Sequence, residues 1–317
     1  MIKKDKSALI IGAAGFVGGY LCECLLKEGA MVFVTKLPFE TFNFNCNGVF
    51  DLDITDPVAT LKVIEQIKPD EIYHLAAQSS VAHSWKAPKL TVDINIGGVV
   101  NILEACRNVV PDVRILLVGS AEEYGHITPD ECPIREEHKC APQNVYALTK
   151  NAQNMLGTLY CNAYGMNILM VRAFNHFGPR QLPQFVISDF CRQVAQIEVQ
   201  RKEPVISVGN LEAKRDFTDV RDIVRAYAMI TEYGKKGETY NVGSGNAISI
   251  REMLDIIIEN TSAEIKVVQD PARMRPSDVP IHCADISKIK SEIGWTPQIS
   301  YIETICNTLE YWRNELK

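Results

Sequence analysis

Tyr146 and Lys150 stand four residues apart in VYALTKNAQNML, a segment of helical pattern, so the two side chains share one helix face. A free phenol has a pKa of about 10, too high for proton transfer at neutral pH. A neighbouring ammonium favours the phenolate and lowers that value, and Lys150 can supply it while bonding a cofactor ribose. Tyr-x-x-x-Lys alone is a frequent chance match, so its weight must come from context. Ser120 supplies some of it. It ends an apolar run in ILLVGSAEEYG, at the carboxyl end of a strand, where ligands gather in parallel sheets. Its hydroxyl can bond a reacting oxygen; read alone, such a serine is a cap or turn residue. Glu122, two positions on, is either a general base or a loop carboxylate bonded to nearby amides.

A second constellation opens the chain. Gly12, Gly15 and Gly18 in IIGAAGFVGG follow an apolar strand and begin a helix, which is the context a dinucleotide loop requires. The glycines permit a tight turn and close backbone approach, and the helix start offers N–H groups and a positive dipole end to a pyrophosphate. An acidic residue at the end of the second strand would bind the ribose hydroxyls of NAD. Thr35 and Lys36 stand there instead. Lys36 can pair with the 2′-phosphate of NADP; otherwise it is an ordinary surface lysine. NADP is therefore the preferred expectation, with NAD also admitted. Asp53, in FDLDITD, is placed to accept from the adenine amino group or to serve near a helix start.

These groups need a frame. Strand patterns at Ser7–Ile11, Met31–Thr35, Gly48–Leu52, Glu71–Leu75, Arg114–Gly119 and Asn167–Arg172 alternate with helical patterns at Phe16–Lys27, Pro57–Ile67, Leu90–Arg107 and Asn144–Tyr164. That alternation implies an α/β fold, a doubly wound parallel sheet covered on both faces, of the Rossmann kind. Residues 1–174 read as the dinucleotide-binding domain and 175–317 as a smaller C-terminal substrate-binding domain. Two stretches, Arg215–Asp222 and Thr239–Val242, are expected to return to the sheet edge, so 214–247 partly rejoins the first domain.

The 317 residues are 46% hydrophobic, enough for a large core. A net charge of -6 gives no general reason to bind nucleic acid or a membrane surface. Any anionic ligand then depends on local cations. The apolar run after Met1–Lys6 is too short for a secretory signal, and no apolar run is long enough to span a bilayer. The 10 cysteines form no Cys-x-x-Cys pair, so no zinc site is expected, and reduced thiols in a cytoplasmic protein are.

Together the glycine loop, HLAAQSS (74–80), Ser120, Tyr146 and Lys150 resemble the extended short-chain dehydrogenase/reductase family in order and spacing, over essentially the whole chain. SAEEYG (120–125), FNHFGPRQ (174–181), VGNLEAKRDFTDVRDIV (208–224) and RMRPSDVP (273–280) are similar to its GDP-sugar branch. Within that branch the likeness is nearest to the GDP-4-keto-6-deoxy-mannose reductases, with the GDP-mannose 4,6-dehydratases next. The chain departs from the pattern at Ile11, where a threonine is usual, and at Lys36, near the place of a usual arginine. The resemblance implies a Ser–Tyr–Lys triad, a nucleoside-diphosphate sugar as substrate and a homodimer built from two helices per subunit. It implies cofactor contacts at Phe16, Val17, Ile54, Leu75, Ala76 and Ala77. It implies substrate contacts at Ser79, Asn175, Arg180, Asn210 and Arg215, with Arg275 as a second diphosphate clamp and Asp278 near the nucleoside. For Arg215 the alternative is an ion pair with Asp216 or Asp219. Reduction at C4 of the sugar is the preferred reaction, 4,6-dehydration the next and 4-epimerisation the third.

Overall fold

The structure is a computed structural model that describes residues 6–273 and 279–317. In chain order the strands are β1 (Ser7–Ile11), β2 (Met31–Lys36), β3 (Gly48–Asp51), β4 (Glu71–His74), β5 (Arg114–Val118), β6 (Asn167–Ala173), β7 (Asn175–Phe177), β8 (Val205–Val208), β9 (Lys214–Asp219), β10 (Thr239–Val242), β11 (Ala247–Ser249), β12 (Lys266–Gln269) and β13 (Ile281–His282). The α-helices are α1 (Phe16–Lys27), α2 (Pro57–Ile67), α3 (Val81–Lys86), α4 (Pro88–Val92), α5 (Gly98–Val109), α6 (Val145–Tyr164), α7 (Val186–Gln200), α8 (Val220–Tyr233), α9 (Ile250–Glu259), α10 (Ser287–Ile293) and α11 (Tyr301–Glu315).

Seven strands form one parallel sheet in the order β10-β6-β5-β4-β1-β2-β3. The central strands are aliphatic at successive positions because both faces are covered. Successive side chains point to opposite sides. Ala8 and Ile10 of β1 join one core with Leu21 and Leu25 of α1 and Ile223 and Tyr227 of α8. Leu9 and Ile11 join the other, with Ile64 of α2 and Ile102 of α5. The expected α/β, doubly wound sheet is what the chain forms.

Two expectations about elements are corrected. Only Thr239–Val242 returns to the large sheet, as β10 on the edge beside β6. Residues 214–219 form β9 instead, in a second sheet with β7, β11 and β13. Two buried carboxylates explain the separation. Asp216 accepts from Ser244 N and Oγ, Gly245 N and Ala284 N. Asp219 caps α8 and binds Arg221 and Thr304. Such groups need many local donors, which an apolar parallel sheet does not offer.

The helix expected over 90–107 is also interrupted. α4 ends at Val92, a π-helical turn covers Asp93–Gly97, and α5 starts at Gly98. The buried Asn95 inside that turn bonds Gln78 and Thr149. Satisfying it reshapes the helix locally, as π-turns do at such sites.

Beyond β7 the chain encloses another apolar core, with Phe190 and Val194 of α7, Phe217 of β9, Leu254 of α9 and Leu309 of α11. This lobe stands beyond the carboxyl ends of the large sheet's strands: β7 follows β6 after a single residue and pairs with β9. Among the described residues no helix is long and apolar enough to cross a membrane.

Candidate active site

The glycine loop joins β1 to α1 and packs against Ala76, just past β4. Gly12 has φ +83°, and a Cβ there would lie 2.5 Å from the Ala76 Cα. Gly12 N donates to Thr35 Oγ1 at 3.1 Å and Ala13 N to Thr35 O at 2.8 Å, so buried Thr35 fixes the turn. Gly15 differs. Its φ is -70°, and a Cβ there would have only Gly12 O, at 3.7 Å, within 4 Å. What it preserves is therefore open space above the helix start. Gly15 caps α1 without any side-chain bond, and no acidic residue occupies the first turn. Uncapped N–H groups, a positive dipole end and room for close approach fit a pyrophosphate.

Lys36 ends β2, and its Nζ meets Asp51 Oδ1 at 2.5 Å and Leu37 O at 3.2 Å. Asp53 Oδ1 accepts from Thr55 N and Oγ1, at 2.9 and 2.7 Å, while Asp56 caps α2. Ile54 is buried, and its carbonyl accepts from Asn101. Leu75 N and Ala76 N both donate to Ile11 O, with the partly buried Ala77 next in line. Phe16 and Val17 are partly buried at the start of α1, and the Phe16 ring stacks on His176 at 6.2 Å and 6°.

On the other side of β4, Asn144 caps α6 by accepting from Ala147 N, which sets Tyr146 in the first turn and Lys150 one turn later. The Tyr146 hydroxyl meets the Ser120 hydroxyl, and burial pushes its pKa up to about 12 against that hydrogen bond. The nearby Glu122 charge pushes the same way. Buried Lys150 donates from Nζ to Val118 O at 2.7 Å and Gln153 Oε1 at 3.3 Å. Burial brings its pKa down to about 8, opposed by Glu123. Its ammonium bonds a strand carbonyl, and the Tyr146 hydroxyl stays protonated at neutral pH. Glu122 is exposed and accepts from Asn144 Nδ2 at 3.2 Å.

Sequence reasoning missed the carboxylate beneath Ser120. Glu123 is wholly buried and accepts from Ser120 N at 2.8 Å, Asn154 Nδ2 at 2.9 Å and Arg172 Nε at 3.1 Å. Arg172 continues to Tyr124 OH and Glu136 O, and Tyr124 OH to Asn241. The Ser120–Glu123 spacing of a capping box was the available signal. His74 was missed as a titratable group. It is fully buried beside Lys150, both ring nitrogens lack a partner among the described residues, and burial lowers its pKa to about 3.

The substrate-side residues are less concentrated. Asn175 is exposed at the start of β7, and Ser79 is exposed just before α3. Arg215 on β9 donates to Lys214 O and Val279 O. Asp216 and Asp219 spend their carboxylates on the partners given above. The Asn210 side chain accepts from Glu212 N at 2.9 Å. Arg180 does not join this group. Its guanidinium lies over the Tyr20 and Phe44 rings at 4.0 and 4.7 Å, with Glu23 at 3.6 Å, so α1 and the β2–β3 connection both hold it. Arg275 and Asp278 lie outside the described residues. Among those described, no group of three or more His, Cys, Asp or Glu could hold a metal ion.

The GDP-mannose 4,6 dehydratase family model matches residues 9–308. The chain is 32% identical to the GDP-6-deoxy-D-mannose reductase of Pseudomonas aeruginosa, over 97% of each chain. It is 30% identical to the GDP-mannose 4,6-dehydratase of Yersinia enterocolitica, over 95% of this chain and 92% of that one. The solved structure of RMD from Pseudomonas aeruginosa complexed with NADPH superposes with a TM-score of 0.88 at 28% identity, over 98% of this chain and 99% of that one.

Proposed function

The chain belongs to the GDP-mannose 4,6-dehydratase family of extended short-chain dehydrogenase/reductase enzymes, and we propose that within it this protein reduces a nucleotide-linked 4-keto-6-deoxy sugar at C4. The substrate we assign is GDP-4-keto-6-deoxy-mannose, giving GDP-rhamnose. NADPH is the preferred cofactor, with NADH also accepted. When bound, the dinucleotide supplies the hydride. The α1 start and Gly15 would hold its pyrophosphate, and Lys36 and Asp53 its adenosine end. Tyr146 gives its proton to the C4 oxygen, and Ser120 bonds that oxygen and aligns it. Lys150 orients the ribose. Asn175 and Arg215, with Arg275, would hold the sugar diphosphate far from the reacting carbon and Asp278 the nucleoside, so binding there positions the ketone.

One observation carries the reductive reading. The chain is 32% identical to a GDP-6-deoxy-D-mannose reductase over 97% of both chains, and the Tyr146 hydroxyl beside Ser120 is the acid that ketone reduction consumes. Dehydration is the second reading, favoured by the exposed Glu122 carboxylate near Tyr146, a base for the proton next to a C4 ketone. The deciding experiment follows the absorbance of the reduced cofactor. Loss with the 4-keto-6-deoxy sugar, and none with GDP-mannose, is expected. A keto product made from GDP-mannose without net cofactor use would replace reduction by dehydration. The assembly we propose is a homodimer through α6, whose exposed Leu148, Met155 and Leu159 form one stripe. A sedimentation measurement returning only monomer would remove it.

A further inference from the structure

The adenosine end of the site contains a charge pair that alters what Lys36 can do. β2 and β3 run parallel with Lys36 directly opposite Asp51, both at the carboxyl ends of their strands. Ligands of such sheets approach along that edge. The Lys36–Asp51 contact is 2.5 Å, and Leu37 O holds the same ammonium at 3.2 Å. The Lys36 side chain is 16% exposed and that of Asp51 58%, so the lysine is tethered and the carboxylate faces outward. Other candidates for reading a ribose are engaged. The Thr35 hydroxyl accepts from Gly12 N, and Glu40 Oε2 accepts from Leu37 N at 2.9 Å.

A 2′-phosphate near pH 7 carries close to two negative charges. It needs the Lys36 ammonium and meets the Asp51 carboxylate beside it. Ribose hydroxyls make the opposite demand, because they donate and a carboxylate accepts. We infer that Asp51 determines the cofactor selectivity of this enzyme: it neutralises Lys36 and brings the ribose-reading carboxylate in from β3 instead of β2. The site then takes the unphosphorylated dinucleotide alongside the phosphorylated one. The inference rests on the reading that the start of α1 holds a dinucleotide.

The test is calorimetric titration of the full chain with adenosine 2′,5′-bisphosphate and with ADP, repeated with NADP and NAD. In Asp51→Asn the preference for the 2′-phosphorylated member of each pair should rise about tenfold, the scale of one unit charge removed at a half-exposed edge. In Lys36→Ala it should fall by a similar factor. The Asp51→Asn gain should shrink as salt is raised, because an exposed pair is screened. Asp51 is a surface residue, so its replacement should leave the melting temperature near that of the parent. An unchanged preference in Asp51→Asn overturns the inference, whatever Lys36→Ala does. A parent chain that binds none of the four ligands overturns the dinucleotide reading itself.

Discussion

Glu123 and Asp51 are both carboxylates that hold a cation, and they sit on opposite flanks of the same sheet edge. Glu123 is wholly buried and bonded to Ser120, Asn154 and Arg172, which tie two strands and a helix together. Asp51 is mostly exposed and meets Lys36 across one strand pair. The first arrangement fixes geometry, because a buried ion pair cannot be rearranged without stranding a charge. The second adjusts affinity, because an exposed pair exchanges readily with water, salt or a ligand. Chemistry is thus built on the rigid flank and selectivity on the adjustable one.

Three changes would sharpen or break that contrast. The largest effect belongs to Tyr146→Phe. Removing the proton donor should lower turnover by roughly 100- to 10,000-fold while dinucleotide affinity stays near that of the parent. Steady-state kinetics beside a binding titration read both, and near-normal turnover would reject the triad. Next is Glu123→Ala, which leaves Arg172 charged and unpaired in the interior. Urea denaturation should report a loss of about 3–5 kcal/mol. Asp51→Ala should change stability by no more than about 0.5 kcal/mol. Equal losses at the two positions would erase the distinction.

The smallest effect is in pH dependence. Lys150 loses its proton near pH 8, whereas the phenol keeps its own to about 12. Reductive turnover should therefore fall above about pH 8, with the lysine as the cause. Burial lowers the folded His74 pKa from its ordinary 6.5 to about 3. Between those values the unfolded chain binds more protons than the folded one, so stability falls as pH drops through that window. The slope is about 1.4 kcal/mol per pH unit. His74→Leu should flatten it, as thermal melts from pH 7 to pH 4 would read. An unaltered slope would mean that the imidazole is hydrated after all.

Much of the frame was legible because its signals are local. The strand at Ser7–Ile11, the helix at Phe16–Lys27 and the loop between them follow from an apolar run, a helical period and three glycines. Tyr146 and Lys150 share a helix face by spacing alone. The interrupted helix at Asp93–Gly97 was not legible, because its cause is Asn95 reaching Gln78 and Thr149 from other parts of the chain. The assignment of 214–219 to a separate sheet was hidden for the same reason, since the donors to Asp216 lie at Ser244, Gly245 and Ala284. Arg180 is a substrate contact by resemblance, and only folding brings Tyr20 and Phe44 beneath it.

Sequence alone settled most element types and the doubly wound sheet, because periodicity and glycine chemistry act over a few residues. Tertiary structure decided where the charges go. Lys150 turned to Val118, Lys36 to Asp51 and Glu123 to Arg172, partners 32, 15 and 49 residues away. An ionised group takes the partner that compensates its loss of water, and which partner is within reach depends on the packed chain.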